Sequence, residues 1–333
     1  MTIRVGVIGT GIMGADHARL LGGVIRGAAV GSVFDLDADR ASAVASPLAA
    51  TVAIDPGSLI ADPDIDAVLI ASSDETHERF VLDCLSEGKP VLCEKPLTPT
   101  VEGCRRIVDA ERATGRRLVT VGFMRRHDPG YLEMRRALHA KRIGAALLLH
   151  CVHRNPTGPP GQSTASLITG SAIHEIDLAR WLFDDEITAA TVHVPRRTSQ
   201  ASGATQDPLF LVLQTSRGVI VDVEVFVNAG YGYDVRTELV GEQGTISVDA
   251  AAPTVLRQDQ AASRALAPDW RPRFAEAYRR ELQDWVDALA AGRDPLSASG
   301  RDGYLATLVA QAAVVALETG NTTKVEIPAS GGG

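Results

Sequence analysis

The sequence predicts a two-domain α/β protein whose first half is a doubly wound parallel sheet. Its 333 residues are enough for two domains of ordinary size. In the first half, continuous apolar runs alternate with amphipathic segments, which is typical of parallel strands covered by helices on both faces. In the second half, strands that alternate apolar and polar residues follow one another through tight turns. We expect a first domain over 1–121 and a second over 122–333, whose C-terminal helix can pack back on the first.

Five apolar runs mark the strands of the first domain. In chain order they read "IRVGVIG", "AAVGSVF", "DAVLIAS", "KPVLCEK" and "RLVTVGF". Two of the helical segments between them are followed by Gly88 and Gly115. Both glycines stand where a left-handed C-terminal cap favours this residue.

The sequence pattern changes in the second domain, where successive strands replace the alternation of strands and helices. A helix over 131–140 leads to the strand "ALLLHCVH", a loop rich in Pro and Gly over 155–162, and the helix "HEIDLARWL". A strand meander follows, with the segments "TAATVHV", "PLFLVLQT", "GVIVDVEVFVNA", "YDVRTELVG" and "GTISVD". Two amphipathic helices, ended by Gly292 and Gly320, close the chain.

Composition narrows the classes of function. The formal net charge is -8, and the arginine pairs at 125–126 and 196–197 are isolated, so we expect no binding to nucleic acid or to an anionic membrane. No apolar run approaches the roughly 18 residues that span a bilayer, and no basic leader precedes the first strand. The four cysteines lack metal-ligand spacing and lie within apolar patterns. We therefore expect reduced thiols, a cytoplasmic protein and no metal.

The segment "VIGTGIMG" carries the clearest motif. Gly9, Gly11 and Gly14 form G-x-G-x-x-G between the first strand and the first helix, where glycines permit a tight turn, a close approach to a pyrophosphate and close packing of helix on strand. Asp35 ends the second strand about 20 residues later, where a carboxylate binds the ribose hydroxyls of NAD. An N-cap role would explain Asp35 but not the glycines. The pattern predicts a Rossmann domain that binds NAD.

Two further segments carry titratable groups. In "VLCEKP" the strand ends on Glu94, Lys95 and Pro96, and ligands of a doubly wound sheet bind at the carboxyl ends of its strands. A surface lysine at a strand end is the alternative. In "HEIDLARWL", His174 and Asp177 lie one turn apart. Without further information they form either a buried core pair, which is slightly favoured, or the wall of an active site.

Taken together, G-x-G-x-x-G, "EKP", "GFMRRHDPGY", "HRNP" and "HEIDLARWL" resemble the Gfo/Idh/MocA oxidoreductase family and, within it, its inositol 2-dehydrogenase branch. The resemblance runs from Ile3 to about Gly320. It implies a second, α+β domain built on an open, mostly antiparallel sheet. It also implies that Lys95 and His174 are catalytic and that Arg125, Asn155, Asp177 and Tyr233 line the substrate pocket.

The implied reaction is NAD-dependent oxidation of a ring secondary alcohol of a cyclitol, myo-inositol or a close relative, to the ketone. His174 would act as the general base, Lys95 would donate to the developing alkoxide, and hydride would pass to the nicotinamide. The predicted substrate contacts are Lys95, Arg125, Asn155, Ser171, His174, Asp177 and Tyr233. The predicted cofactor contacts are Gly9, Gly11, Ile12, Met13, Gly14, Asp35, Arg40, Ser72, Ser73, His77, Glu94 and Lys95.

One position departs from the family pattern. Family inositol dehydrogenases carry an aspartate four residues before the catalytic histidine, whereas this chain reads "LITGSAIH" with Gly170 there. The glycine leaves space that the extra group of a different substrate could fill. Three alternatives to a cyclitol dehydrogenase are open. They are a dehydrogenase of a related sugar or aminocyclitol, an NAD-using glycoside hydrolase, and a nucleotide-sensing protein without turnover, against which the presence of Lys95 argues.

The strand over 219–227 bears on assembly. Valine occupies every second position, while Ile220, Asp222, Glu224 and Phe226 share the other face. A mixed face of this kind is either a subunit interface or a surface with scattered apolar residues. Because many members of the family form tetramers through this sheet, we expect a homotetramer.

Overall fold

The computed structural model describes residues 2–250 and 254–328. The chain divides into two compact units, Met1–His127 with Glu276–Thr307 and Asp128–Ala275 with Leu308–Gly333. Glu276–Thr307 therefore groups with the first unit, and the first continuous stretch ends at His127 rather than at 121.

The secondary structure follows the predicted alternation in the first unit and then changes to successive strands. In chain order the elements are β1 (Ile3–Ile8), α1 (Ile12–Gly23), β2 (Ala28–Phe34), α2 (Ala38–Ala45), β3 (Thr51–Val52), α3 (Pro56–Ala61), β4 (Ala67–Ile70), α4 (Asp74–Ser86), β5 (Val91–Glu94), α5 (Val101–Ala113), β6 (Val119–Gly122), α6 (Pro129–His139), β7 (Ala146–Arg154), α7 (Thr164–Ser166), α8 (Ile173–Phe183), β8 (Ile187–His193), β9 (Leu209–Thr215), β10 (Ile220–Phe226), β11 (Asp234–Gly241), β12 (Gly244–Val248), β13 (Leu256–Gln258), β14 (Ala261–Ser263), α9 (Trp270–Ala291), β15 (Ala298–Ser299), α10 (Gly300–Thr319) and β16 (Thr323–Lys324).

The first unit contains the predicted doubly wound sheet. Its strand order is β15-β6-β5-β4-β1-β2-β3, in which β1 to β6 are parallel and β15 pairs antiparallel with β6. All five predicted strands form. The sequence missed β3 and β15, which are two residues long and carry no apolar run.

Apolar side chains from this sheet and its helices form one core. Val5, Val7, Leu69 and Leu92 are fully buried in it, and Trp285 of α9 packs against them. Burying aliphatic strands on both faces explains why their sequences are continuously apolar. The core fixes the carboxyl ends of β1, β2, β4 and β5, where the predicted cofactor residues lie.

The predicted helix caps are confirmed. Gly88, Gly115, Gly292 and Gly320 have φ values of 64°, 64°, 62° and 67°. Each lies just after a helix in the left-handed region, which residues with a Cβ rarely adopt.

The second unit contains an open, mostly antiparallel sheet, as predicted. Its strand order is β12-β11-β7-β10-β9-β8-β16. The prediction of a plain meander was wrong at one point, because β10 and β11 are not neighbours. β7 lies between them, parallel to β10 and antiparallel to β11. Its buried positions are Leu149, Cys151 and His153, so an alternating strand occupies the middle of the sheet.

The four cysteines are buried and unbridged, as expected. Burial raises the pKa of the Cys84 thiol to about 12 and that of Cys93 well above its ordinary value. These thiols are therefore protonated and unreactive at neutral pH. Within 2–250 and 254–328, no helix is long and apolar enough to cross a membrane.

Candidate active site

The glycine motif forms a tight turn between β1 and α1. Gly9 has a φ of +88°, and a Cβ on it would lie 2.5 Å from the backbone N of Ser72. A Cβ at Gly14 would lie 1.8 Å from the Gly9 carbonyl oxygen, so no larger residue fits there. A Cβ at Gly11 would meet no described atom within 4 Å. The turn therefore leaves open space at Gly11, beside the N-terminus of α1, and this space fits the pyrophosphate of a dinucleotide.

Asp35 follows β2 and accepts hydrogen bonds from three residues. Its donors are the backbone N and Oγ1 of Thr10 at 2.7 and 2.9 Å, the backbone N of Asp37 at 2.9 Å, and the Nε and Nη2 of Arg40 at 3.1 and 2.6 Å. Burial alone would raise the pKa of Asp35, but these hydrogen bonds outweigh it and hold the pKa well below its ordinary value. Asp35 is therefore a carboxylate throughout the neutral range, as a partner of ribose hydroxyls must be.

Lys95 follows directly on β5, and the residue before it is tightly held. Glu94 Oε1 accepts a hydrogen bond from His17 Nε2 of α1 at 2.7 Å, and Glu94 Oε2 accepts one from the backbone N of Lys95 at 3.2 Å. Burial would raise the pKa of Glu94, but the bond from His17 leads the effects that lower it, and the net direction is downward. An ionised Glu94 only accepts, so His17 donates from Nε2. This pair joins the helix of the glycine motif to the strand that carries Lys95.

His77 anchors the other side of Lys95. Its Nδ1 lies 2.8 Å from the Pro96 carbonyl oxygen and its Nε2 lies 3.2 Å from the Ser72 carbonyl oxygen. The Lys95–Pro96 peptide is cis. The His77 side chain is almost completely buried. Its two contacts link the end of β4 to the turn after β5.

The other predicted cofactor residues of this unit are more accessible. Ile12 and Ser73 are exposed, Met13 and Ser72 are partly buried, and Ser73 is the N-cap residue of α4. Ser72 Oγ lies 2.7 Å from Thr76 Oγ1. Ser72 and Ser73 form the turn after β4, which approaches Gly9 because β1 and β4 are neighbours, and Ile12 and Met13 begin α1.

Arg125 lies in a short 3-10 turn, Met124–His127, that follows β6. Its side chain is fully buried. The neighbouring Arg126 is bonded to Asp302 Oδ1 at 3.1 Å. Two buried arginines therefore follow the carboxyl end of β6, and the guanidinium of Arg126 is paired with Asp302.

In the second unit, His174 and Asp177 lie on α8, which is buried on nearly every side rather than along one stripe. His174 is 8% exposed and Asp177 is 1% exposed. A segment of π-helix, Leu167–Ala172, enters α8 and contains Gly170 and the buried Ser171. The sequence did not predict this segment, and π-helical turns are rare and frequent at functional sites.

Backbone hydrogen bonds hold Asn155, just after β7, and Tyr233, just before β11. Asn155 N donates to the Phe226 carbonyl oxygen at 3.0 Å, and Tyr233 N donates to the Ala267 carbonyl oxygen at 2.9 Å. The Asn155 Oδ1 atom is buried and accepts no hydrogen bond from the described part of the chain. A buried amide oxygen of this kind is suited to a donor supplied by a ligand.

Sequence reasoning missed a buried pair next to these residues. His153 Nδ1 lies 3.0 and 3.1 Å from the two carboxylate oxygens of Glu175. The His153 ring centroid lies 6.3 Å from that of His174 and 6.3 Å from that of Tyr233. His153 is the first residue of "HRNP" and Glu175 is the second residue of "HEID", but spacing along the chain could not show that they meet.

Comparisons with known proteins extend over almost the whole chain. Residues 3–123 match the model of the Gfo/Idh/MocA oxidoreductase family, NAD-binding Rossmann fold, and residues 131–247 match the Gfo/Idh/MocA C-terminal domain. Inositol 2-dehydrogenase 2 of Saccharopolyspora erythraea is 54% identical over 328 residues, 98% of this chain and 96% of that protein. Inositol 2-dehydrogenase 2 of Paenarthrobacter aurescens is 46% identical over 330 residues, 98% of this chain and 99% of that protein.

Among solved structures, the crystal structure of myo-inositol dehydrogenase from Lactobacillus casei in complex with NAD(H) and myo-inositol is similar to this fold with a TM-score of 0.95. The two proteins are 37% identical, and the match covers 99% of this chain and 98% of that one. The predicted fold class and the predicted family are both confirmed. The chain belongs to the Gfo/Idh/MocA oxidoreductase family.

Proposed function

We propose that this protein is an NAD-dependent dehydrogenase that oxidises a ring secondary alcohol of a cyclitol, myo-inositol or a close relative, to the ketone. The observation that carries the proposal is the 54% identity to an inositol 2-dehydrogenase across 98% of this chain. The glycine turn and the ionised Asp35 support the choice of NAD.

The first domain is proposed to bind the cofactor, with Gly9, Gly11 and Gly14 at the pyrophosphate and Asp35 at the adenosine ribose. When bound, NAD supplies the hydride acceptor. Glu94 and His77 are held by hydrogen bonds inside this unit, so we propose that they mainly position Lys95, while Ile12, Met13, Ser72 and Ser73 contribute the surface around the cofactor.

The second domain is proposed to supply His174 as the general base that takes the proton of the reacting hydroxyl. Lys95 would donate a hydrogen bond to the oxygen as it becomes an alkoxide. The remaining hydroxyls of a cyclitol need both donors and acceptors. Arg125 can only donate, Asp177 and Asn155 Oδ1 accept, and Ser171 and Tyr233 can do either.

The test is a panel of inositol isomers and pyranoses, each assayed with NAD for the absorbance of NADH. We expect at least one inositol isomer to be the best substrate. A panel in which only pyranoses produce NADH would favour a sugar dehydrogenase. Cleavage of aryl glycosides that needs NAD but yields no net NADH would instead identify a glycoside hydrolase.

We expect higher catalytic efficiency with NAD than with NADP, because a 2'-phosphate would face the Asp35 carboxylate. Arg40 modifies this preference. Its side chain is 48% exposed and holds Asp35 through two nitrogen atoms, so it can turn towards a 2'-phosphate. Arg40→Ala should therefore increase the ratio of kcat/KM for NAD to kcat/KM for NADP by about threefold. A change of this size corresponds to the free energy of an exposed ion pair. Measured kcat/KM values that are equal for the two cofactors in the native enzyme would contradict the prediction.

We also propose a homotetramer assembled through the outer face of β10. The two carboxylates on this face already have partners within the sheet. Asp222 Oδ2 lies 2.5 Å from His150 Nδ1, and Glu224 Oε1 lies 2.5 Å from Arg154 Nε. Pairing lowers the cost of burying these charges beside Ile220 and Phe226.

Sedimentation at micromolar concentration should give about four times the chain mass of 35.2 kDa. Phe226→Asp, which places an unpaired charge on this face, should shift the protein to smaller species. Leu147→Asp, at an exposed position of β7 on the opposite face of the sheet, should leave the mass unchanged. A native monomer would refute the tetramer.

A cytoplasmic location is the last part of the proposal. It rests on Cys84, Cys93, Cys104 and Cys151, which are buried thiols without disulfides. Cell fractionation followed by immunodetection tests it directly.

A further inference from the structure

Glu175 and His153 form a buried pair that has no role in the reaction proposed above. Glu175 is 0% exposed in the first turn of α8, and His153 is 4% exposed on β7. Both carboxylate oxygens lie within 3.1 Å of one ring nitrogen, Nδ1. The two partners are 22 residues apart in the chain, so the fold itself brings them together.

Packing alone does not explain this pair. Burying a carboxylate and an imidazole costs desolvation energy, and well-packed apolar residues of similar volume are often as stable or more stable. The neighbouring buried positions of β7, Leu149 and Cys151, show that the same strand accepts apolar side chains. A polar pair in this place therefore points to a role other than stability.

The surroundings indicate the role. The His153 ring lies 6.3 Å from the ring of His174, with the planes tilted by 38°, and 6.3 Å from the ring of Tyr233, with the planes at 77°. His174 is the proposed base, and Tyr233 is a proposed substrate contact. Any rotation of the His153 ring would disturb both neighbours, because interiors are close-packed.

We infer that Glu175 is a positioning residue, whose carboxylate locks His153 against His174 and Tyr233 with the proton on Nδ1. A carboxylate only accepts hydrogen bonds, so Nδ1 must donate, and Nε2 of the neutral ring is then an acceptor. The pair also places a buried negative charge one ring away from His174. That charge stabilises the imidazolium that His174 becomes when it takes the hydroxyl proton.

The inference rests on the proposed function, and its first test does not depend on turnover. Neutron diffraction from crystals of the native protein with NAD should show hydrogen on His153 Nδ1, facing Glu175. Hydrogen on Nε2 alone, with a protonated Glu175, would overturn the inference even in an enzyme that oxidises inositol. If no cyclitol is oxidised, the proposed function fails, while the position of the proton can still be read.

The second test is kinetic. Glu175→Gln keeps the size and an accepting oxygen but removes the charge, so kcat with the best polyol of the panel should fall about tenfold, with NAD affinity unchanged. Glu175→Asp should recover part of the loss. The matched control is Glu186→Gln, which removes the ion pair of Glu186 with Arg180 near the other end of α8, at 2.6 Å, and should leave kcat unchanged. Native kcat in a folded Glu175→Gln variant would overturn the inference, as would an equal loss in the control.

Discussion

Lys95→Ala is expected to lower kcat at least about a hundredfold while leaving the affinity for NAD nearly unchanged. The size of the effect is that of a positioned proton donor or acceptor. Steady-state kinetics with the best polyol gives kcat, and calorimetric titration with NAD gives the affinity. The expectation rests on the proposed role of Lys95 at the developing alkoxide.

The structure gives Lys95 the support that such a role needs. His17 bonds Glu94, Glu94 bonds the backbone N of Lys95, and His77 bonds the carbonyl oxygen of Pro96. The residues on both sides of Lys95 are thereby fixed to α1, β4 and α4. Holding these neighbours fixes the backbone from which the Lys95 side chain extends, as the supporting contacts of a functional site should.

Lys89→Ala is the matched control, because Lys89 precedes the same strand β5 at its other end. Its ammonium donates to the carbonyl oxygens of Asp62 and Ile65, so its loss should lower the free energy of unfolding and leave kcat unchanged. Retained turnover in Lys95→Ala would remove Lys95 from the mechanism. Lost NAD binding would make its role structural.

The sequence predicted those parts of the fold that depend on neighbours along the chain. The strands β1, β2, β4, β5 and β6 are continuous apolar runs, and the caps Gly88 and Gly115 need a left-handed residue whatever packs around them. The position of β7 between β10 and β11 was not predictable. It depends on pairing between distant strands, which leaves no signal in local periodicity.

The same limit applies to the candidate site. The glycines and Asp35 are recognisable because a fixed spacing serves a fixed geometry. The bond from His17 to Glu94 spans 77 residues, and the pair of His153 and Glu175 joins two elements. Each of these histidines could be placed on an element from the sequence, but their partners required the fold. Contacts of Arg40, Glu94 and His77 with the cofactor stay predictions.

Gly170→Asp is expected to raise kcat/KM for myo-inositol at least about tenfold, which corresponds to roughly 1.4 kcal/mol of transition-state stabilisation. Position 170 lies four residues before His174, in the π-helical segment that enters α8, so the two side chains are about one helical turn apart. A carboxylate there would stabilise the imidazolium that forms on His174, and removing such a group from a catalytic triad costs several orders of magnitude. Glycine cannot provide this stabilisation.

The structure leaves room for the first side-chain atom of this substitution. Apart from its chain neighbours and its own helix backbone, a Cβ at Gly170 would meet no atom of residues 2–250 and 254–328 within 4 Å, and Gly170 does not have a left-handed φ. A backbone requirement for glycine is therefore not the reason for this residue. Replacing a helical glycine with alanine is also expected to stabilise the protein by about 0.5–1 kcal/mol, so Gly170→Ala should fold at least as well as the native chain.

Two control variants separate the carboxylate from its volume. Gly170→Ala adds only the Cβ and should leave kcat/KM for myo-inositol within about twofold, whereas Gly170→Asn adds the same volume as aspartate without the charge and should gain much less.

Asp177 and Glu175, which is paired with His153, also place carboxylates near His174. The stabilisation that they already give the imidazolium limits what another carboxylate at position 170 can add. If the native enzyme already oxidises myo-inositol efficiently and Gly170→Asp is neutral or worse, those two carboxylates are sufficient for catalysis. The open space at Gly170 would then accommodate a larger substrate, and activity on bulkier polyols should fall in both Gly170→Asp and Gly170→Asn.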